Sequence, residues 1–119
     1  MKAYSFEKLE VWKISIKLVT YVYDITNAFP AEEKFGLVSQ IRRSAISIRS
    51  NLAEGSSRKT NKDKAHFTTM AFSSAMELLN QLIISKELSL INEEHYTNSR
   101  VQIEKISNML NALRNTQIY

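Results

Sequence analysis

At 119 residues the chain is long enough for one domain and too short for two ordinary ones, and its 44% hydrophobic content supports a packed core rather than disorder. Two glycines and one proline leave few tight turns, which favours long helices over a sandwich or barrel. The absence of cysteine excludes a disulfide framework, a thiolate metal site and a cysteine nucleophile. The net charge of +4 is local: from Arg42 to Lys64 stand seven basic residues (Arg42, Arg43, Arg49, Arg58, Lys59, Lys62, Lys64) against two acids, Glu54 and Asp63, so this window carries +5 and the rest −1. Such a run reads either as a solvated helix end and loop or as an anion-binding patch.

The opening MKAYSFEKLEVWK contains acids and no apolar stretch, so it is unlike a signal peptide. No apolar run approaches the roughly 20 residues that span a bilayer; no membrane association and a cytoplasmic location are expected. A first helix is predicted over 8–28. Leu9, Trp12, Ile16, Val19 and Tyr23 form one apolar stripe, and Val11, Ile14, Leu18, Val22 and Ile25 another, nearly opposite. A helix apolar on two sides in so small a protein points to a subunit interface.

Phe29-Pro30 should end this helix and Ala31-Glu32-Glu33 open the next, predicted over 32–54, with Gly55 as its left-handed C-terminal residue. Its stretch QIRRSAISIRSNLAEG presents three faces. Leu37, Ile41, Ala45, Ile48 and Leu52 form a core stripe. Gln40, Ser44, Ser47, Asn51 and Glu54 form an adjacent polar seam. Arg42 and Arg49, seven positions apart, flank the core stripe on its other side beside Ile46 and Ala53, a composition suited to an interface or to phosphate contact.

Ser56–Thr60 reads as a loop, and Thr60-Asn61-Lys62-Asp63 as a capping box opening a third helix over 61–89. On it, His66, Ser73, Glu77 and Gln81 lie near one another. They either face the polar seam as an interhelical network, with Arg43 available to Glu54 or Glu77, or are solvated. Asn92 should cap a fourth helix over 93–114, with Glu93 and Glu94 in its first turn and Asn115–Tyr119 frayed. Four helices with three short connections imply an all-α, antiparallel up-down-up-down four-helix bundle spanning residues 1–119.

No catalytic constellation stands out. His66 and His95 lie on different helices without a paired-carboxylate ligand pattern, and no strained serine elbow or glycine-rich phosphate loop occurs. No catalytic, cofactor-binding or metal-binding residues are expected, no cofactor, and no small-molecule substrate. Between Arg42 and Lys64 there is no aromatic residue, so nucleic acid bound there would be held by its backbone rather than by base stacking.

FEKLEVWKISIKLVTYVYDIT, then FP and FGLVSQIRRSAISIRSNLAEGSSR, then HFTTMAFSSAMELLNQL, resemble the four-helix-bundle proteins encoded in 23S ribosomal RNA intervening sequences, over nearly the whole chain. The resemblance implies small antiparallel bundles assembled as homopentameric rings, similar to the accessory protein of diversity-generating retroelements, a basic pentamer that binds a reverse transcriptase and nucleic acid. The family motif falls on Gln40, Arg43, Ser47, Asn51, Glu54, Gly55, Ser73 or Ser74, and Glu77, where the polar network is expected. Arg49 departs from the family, which often has proline there. The combined expectation is a non-enzymatic homo-oligomer binding RNA or a ribonucleoprotein partner through Arg42, Arg49, Arg58, Lys59, Lys62 and Lys64. The alternative is a protein-interaction scaffold that binds no nucleic acid.

Overall fold

The computed structural model describes residues 1–118. A 3-10 turn, Ser5–Lys8, leads into α1, Glu10–Thr26; a second, Ala31–Glu33, precedes α2, Leu37–Ser56; α3, Asn61–Glu87, and α4, Glu93–Ile118, complete an all-helical, four-helix fold. Each helix packs against two others in a closed circuit: α1 on α2, α2 on α3, α3 on α4, and α4 back on α1. Leu18, Val22, Ile41, Ile48, Leu78, Leu82, Ile103 and Leu110 meet on the inside, all fully buried, with Ala45, Ala71 and Ala75 letting the backbones approach. Of the two stripes on α1, Val11, Leu18, Val22 and Ile25 enter the core, whereas Ile16 on the other stripe remains 41% exposed.

The helix ends depart from their predicted positions for local reasons. Tyr4 N–H donates to Glu7 Oε1 at 2.8 Å and closes the first turn as a 3-10 helix; Leu9 is then extended, so α1 starts at Glu10 rather than Lys8. Acidic Ala31–Glu33 does form a turn, but Gly36 (φ −107°, ψ −107°) breaks the helical path and α2 begins at Leu37. Gly55 is not a left-handed terminal residue: it lies inside α2, and the described residues contain no glycine with positive φ. It is there for space, because a Cβ on it would stand 2.6 Å from Phe67 Cβ on α3.

Ser89 instead takes the left-handed conformation (φ 60°). Leu90 N–H donates to Ser85 O at 2.8 Å and Ser89 N–H to Lys86 O at 3.0 Å, so α3 ends at Glu87 in a Schellman closure with serine where glycine is usual. Thr60 Oγ1 accepts from Asp63 N–H at 3.1 Å and Asn92 Oδ1 from His95 N–H at 2.7 Å, the two expected N-terminal caps. The stretch expected to fray is helical through Ile118; Tyr119 lies outside the described residues. Thr68 Oγ1 donates to Gln117 Oε1 and Arg114 Nε to Thr69 Oγ1, both at 2.7 Å, holding the last turn of α4 on α3.

Candidate functional site

The two flanking arginines of α2 are tied into the fold. Arg49 Nε–H donates to Trp12 O (3.2 Å) and Ser15 Oγ (3.0 Å), its Nη2 donates to Trp12 O (3.0 Å), and its guanidinium carbon lies 3.9 Å from the Trp12 ring centre. Desolvation at this contact pulls the Arg49 pKa below its ordinary value. Arg42 donates to Thr26 Oγ1 (3.0 Å), Asn27 Oδ1 (3.0 Å) and Tyr23 O (3.3 Å), and lies 4.4 Å from the Tyr23 ring centre. One arginine therefore clamps the start of α1 and the other satisfies carbonyl and side-chain acceptors at its end. These contacts engage Nε and Nη2 of each guanidinium and leave both Nη1 hydrogens without a protein partner among the described residues, so the two side chains are held in the fold with donors still to spare. Arg49 also sits in an uninterrupted helix, where a proline would remove a backbone donor.

These stacked side chains border an apolar face shared by α1 and α2. Trp12, Ile16, Val19, Ile46 and Ala53 line one groove, and Tyr23, Phe35, Val38 and Ile46 line the next. Ile46 is 43% exposed and Phe35 89% exposed. The sequence pattern flagged Ile46 and Ala53, and did not flag Phe35.

On the other side of α2, a polar seam runs between α2 and α3. Ser44 Oγ donates to Glu77 Oε1 at 3.1 Å, Gln81 Nε2 donates to the same oxygen at 3.2 Å, and the Ser47 and Ser74 hydroxyls hydrogen bond at 2.9 Å. Asn51 bonds back along its own helix, from Nδ2 to Ser47 O (2.9 Å) and Ser47 Oγ (3.1 Å), not across to α3. Ser47 and Glu77 each bond across the seam, at separate points, and Asn51, expected at its centre, stays on α2. Gln40, Arg43, Glu54 and Ser73 do not join them: all four are exposed, and among the described residues none makes a side-chain bond across the seam. Ser74 takes the place expected of Ser73, because one residue along a helix turns a side chain by about 100°. Arg43 pairs with neither Glu54 nor Glu77 among the described residues.

The remaining basic residues gather where α2 ends and α3 begins. Arg58, Lys59 and Lys62 are exposed and Lys64 is half-buried. Arg58 lies 4.5 Å from the Phe67 ring centre, a stack on an aromatic just outside the basic window. Ion pairs among the described residues join Lys13 to Glu10, Lys86 to Glu93 and Arg100 to Glu104; none includes Arg58, Lys59, Lys62 or Lys64. Arg114 of α4, which the linear charge window missed, stands beside this cluster and lines a groove with Lys62 and His66.

His66 packs edge-on to Phe67 at 5.6 Å, and His95 edge-on to Tyr21 at 6.2 Å, between different helices. Burial, and secondarily Glu94, raise the Tyr21 pKa. Among the described residues no three His, Cys, Asp or Glu side chains cluster as metal ligands. No described helix is long and apolar enough to cross a membrane.

A family model described as 23S rRNA-intervening sequence protein matches residues 7–112. The crystal structure of a protein with unknown function from the S23 ribosomal protein family of Bacteroides thetaiotaomicron VPI-5482 is similar, with a TM-score of 0.81 at 22% identity, over 88% of this chain and 95% of that one. That likeness is one of fold. Comparison with curated proteins gives no match.

Proposed function

Because the chain belongs to the 23S rRNA-intervening sequence protein family, we propose that it is a non-enzymatic, homo-oligomeric protein of the cytoplasm that binds RNA, or an RNA-associated partner, through the basic residues around the α2–α3 connection. The observation that carries this reading is the set Arg58, Lys59, Lys62 and Lys64, four neighbouring cations with no carboxylate partner among the described residues. Cations kept free of ion pairs retain their full attraction for phosphates and release counterions when they bind.

The helices run up-down-up-down as an antiparallel bundle in this reading. Its support is the pairing of Ser44 with Glu77 and Ser47 with Ser74, and of Thr68 with Gln117 and Lys86 with Glu93: as the residue number rises along one helix, the number of its partner on the next falls. Assembly uses the α1–α2 apolar face, supported by the exposure of Ile16, Ile46 and Phe35. The resemblance implies a ring of five. Repetition of one weak basic patch around a ring raises avidity without new contacts.

Light scattering with absorbance at 260 nm measures both assembly and co-purifying nucleic acid. RNA affinity should fall steeply with added salt, and Arg58→Ala plus Lys59→Ala should reduce the slope by about two. No RNA retention even at low salt would overturn the reading. The exposed Phe35 favours a second one, a scaffold whose partner is a protein. Capture of that partner unaffected by nuclease separates the two.

A further inference from the structure

The first turns of α3 and the last turns of α4 enclose an open groove of about 630 Å³, lined by Asn61, Lys62, His66, Thr69, Arg114 and Gln117 among others. Among the described residues no carboxylate lines it; Asp63, in the first turn of α3, is not among its walls. Two hydrogen bonds decide what its side chains offer. Arg114 donates from Nε to Thr69 Oγ1 at 2.7 Å, which orients the guanidinium and leaves both terminal nitrogens without a described protein partner. The hydroxyl of buried Thr68 has two acceptors in reach, Gln117 Oε1 at 2.7 Å and Lys64 O at 3.1 Å; with its single hydrogen on the shorter contact, the amide's remaining hydrogen-bonding group is its NH2. Lys62 brings three more donors and makes no ion pair among the described residues. The groove thus combines positive charge with donors drawn from two helices, and two of its side-chain acceptors, Thr69 Oγ1 and Gln117 Oε1, are already engaged.

We propose that this groove binds a phosphate group. Several donors arriving from two walls suit a tetrahedral anion with several acceptor oxygens, and the oriented fork of Arg114 suits phosphate more closely than a lone ammonium would. The inference rests on the RNA reading above and deepens it. The anchoring contacts then lie on α4 as well as α3, at residues outside the basic run that the linear sequence displays.

Gln117→Glu is the discriminating variant. Its carboxylate still accepts from Thr68, so the α3–α4 contact persists, but a donor is replaced by negative charge. Asn108→Asp places the same charge on an exposed part of α4 outside the groove. Binding of a short labelled single-stranded RNA, followed by fluorescence anisotropy at low salt, should weaken about tenfold in Gln117→Glu and in Arg114→Ala, and by about twofold at most in Asn108→Asp. Circular dichroism melts establish that the variants are folded. Competition with uridine monophosphate separates the phosphate sources: displacement of the RNA assigns the groove to a terminal or free phosphate, and no displacement assigns it to the phosphodiester backbone. Equal RNA affinity for Gln117→Glu and Asn108→Asp would overturn the groove while leaving the RNA reading standing. If the wild type binds no RNA, the RNA reading falls. The groove then stands only if uridine monophosphate raises the melting temperature of the wild type and not of Gln117→Glu; no shift in the wild type overturns it too.

Discussion

Gly55→Ala tests the helix packing because two effects of known size oppose each other there. Within an ordinary exposed helix, glycine to alanine is stabilising by about 1 kcal/mol, since glycine has more conformational freedom to lose. At Gly55 the added carbon would stand 2.6 Å from Phe67 Cβ, with Phe67 Cγ at 3.5 Å and the Lys64 carbonyl oxygen at 3.6 Å. Only the first distance is prohibitive. Two carbons settle at about 3.5–4.0 Å, so α2 and α3 must part locally by about 1 Å. Phe67 cannot swing clear, because its Cβ is fixed by the α3 backbone rather than by a rotamer. Overpacking of this kind costs about 1–3 kcal/mol, and it disturbs the seam formed by Ser47 and Ser74 on the same helix pair. The net expectation is a loss of about 1 kcal/mol, read as a fall of roughly 0.5–1 M in the urea midpoint at unchanged slope. Phe67→Ala should fail to rescue Gly55→Ala, since alanine keeps the offending Cβ. A Gly55→Ala protein as stable as the wild type, or more so, would refute the close approach.

Ser89→Gly should raise stability by about 0.5–1 kcal/mol in the same urea experiment, because the left-handed φ of 60° strains serine and not glycine. Arg49→Lys should lose most of what Arg49→Ala loses, about 2 kcal/mol, since an ammonium cannot reach Trp12 O and Ser15 Oγ as a fork while covering the indole; full stability of the lysine variant would contradict that assignment. Glu77→Leu should cost about 2 kcal/mol in thermal or urea unfolding, because Ser44 (3% exposed) and Gln81 (4% exposed) each lose the acceptor they share. Glu77→Gln should recover much of this. Asn51→Leu should cost about 1 kcal/mol or less, its bonds being internal to α2.

The core was legible from periodicity alone. The stripes containing Leu18, Ile48, Leu78 and Ile103 repeat with the helical turn, and burial follows directly from that spacing. The caps at Thr60 and Asn92 were legible too, since each acts on a neighbour three residues away. What depends on distant residues was not. Gly55 followed by a polar loop looks like a helix terminus, and only the approach of Phe67 reveals it as a packing glycine. Arg42 and Arg49 look like free cations until Tyr23 and Trp12 are brought beside them. The extension of α4 depends on Thr68, and 49 positions separate Thr68 from Gln117. The charged window ended at Lys64, so Arg114 was invisible to it, although folding brings Arg114 to the groove that Lys62 lines.

In the antiparallel arrangement proposed above, this partition of arginines makes the position of charge more informative than its total. Five cations (Arg58, Lys59, Lys62, Lys64 and Arg114) against Glu54 and Asp63 leave +3 at one pole. Six acids (Asp24, Glu32, Glu33, Glu87, Glu93 and Glu94) against Lys34, Lys86 and Arg42, which lies on the end of α1, leave −3 at the other. The molecule is 43 Å long, whereas charges are screened over about 8 Å at physiological ionic strength. A phosphate backbone at one pole therefore barely senses the other, and overall charge is a poor guide to affinity. Two neutralising pairs make this testable, since each raises the net charge by two. Glu54→Gln with Asp63→Asn removes both acids of the basic pole and should tighten RNA binding at low salt by about fivefold. Glu93→Gln with Glu94→Gln removes two from the acidic pole and should leave binding within about twofold. Equal tightening by the two pairs, measured at the same ionic strength, would mean that net charge rather than this pole governs the interaction.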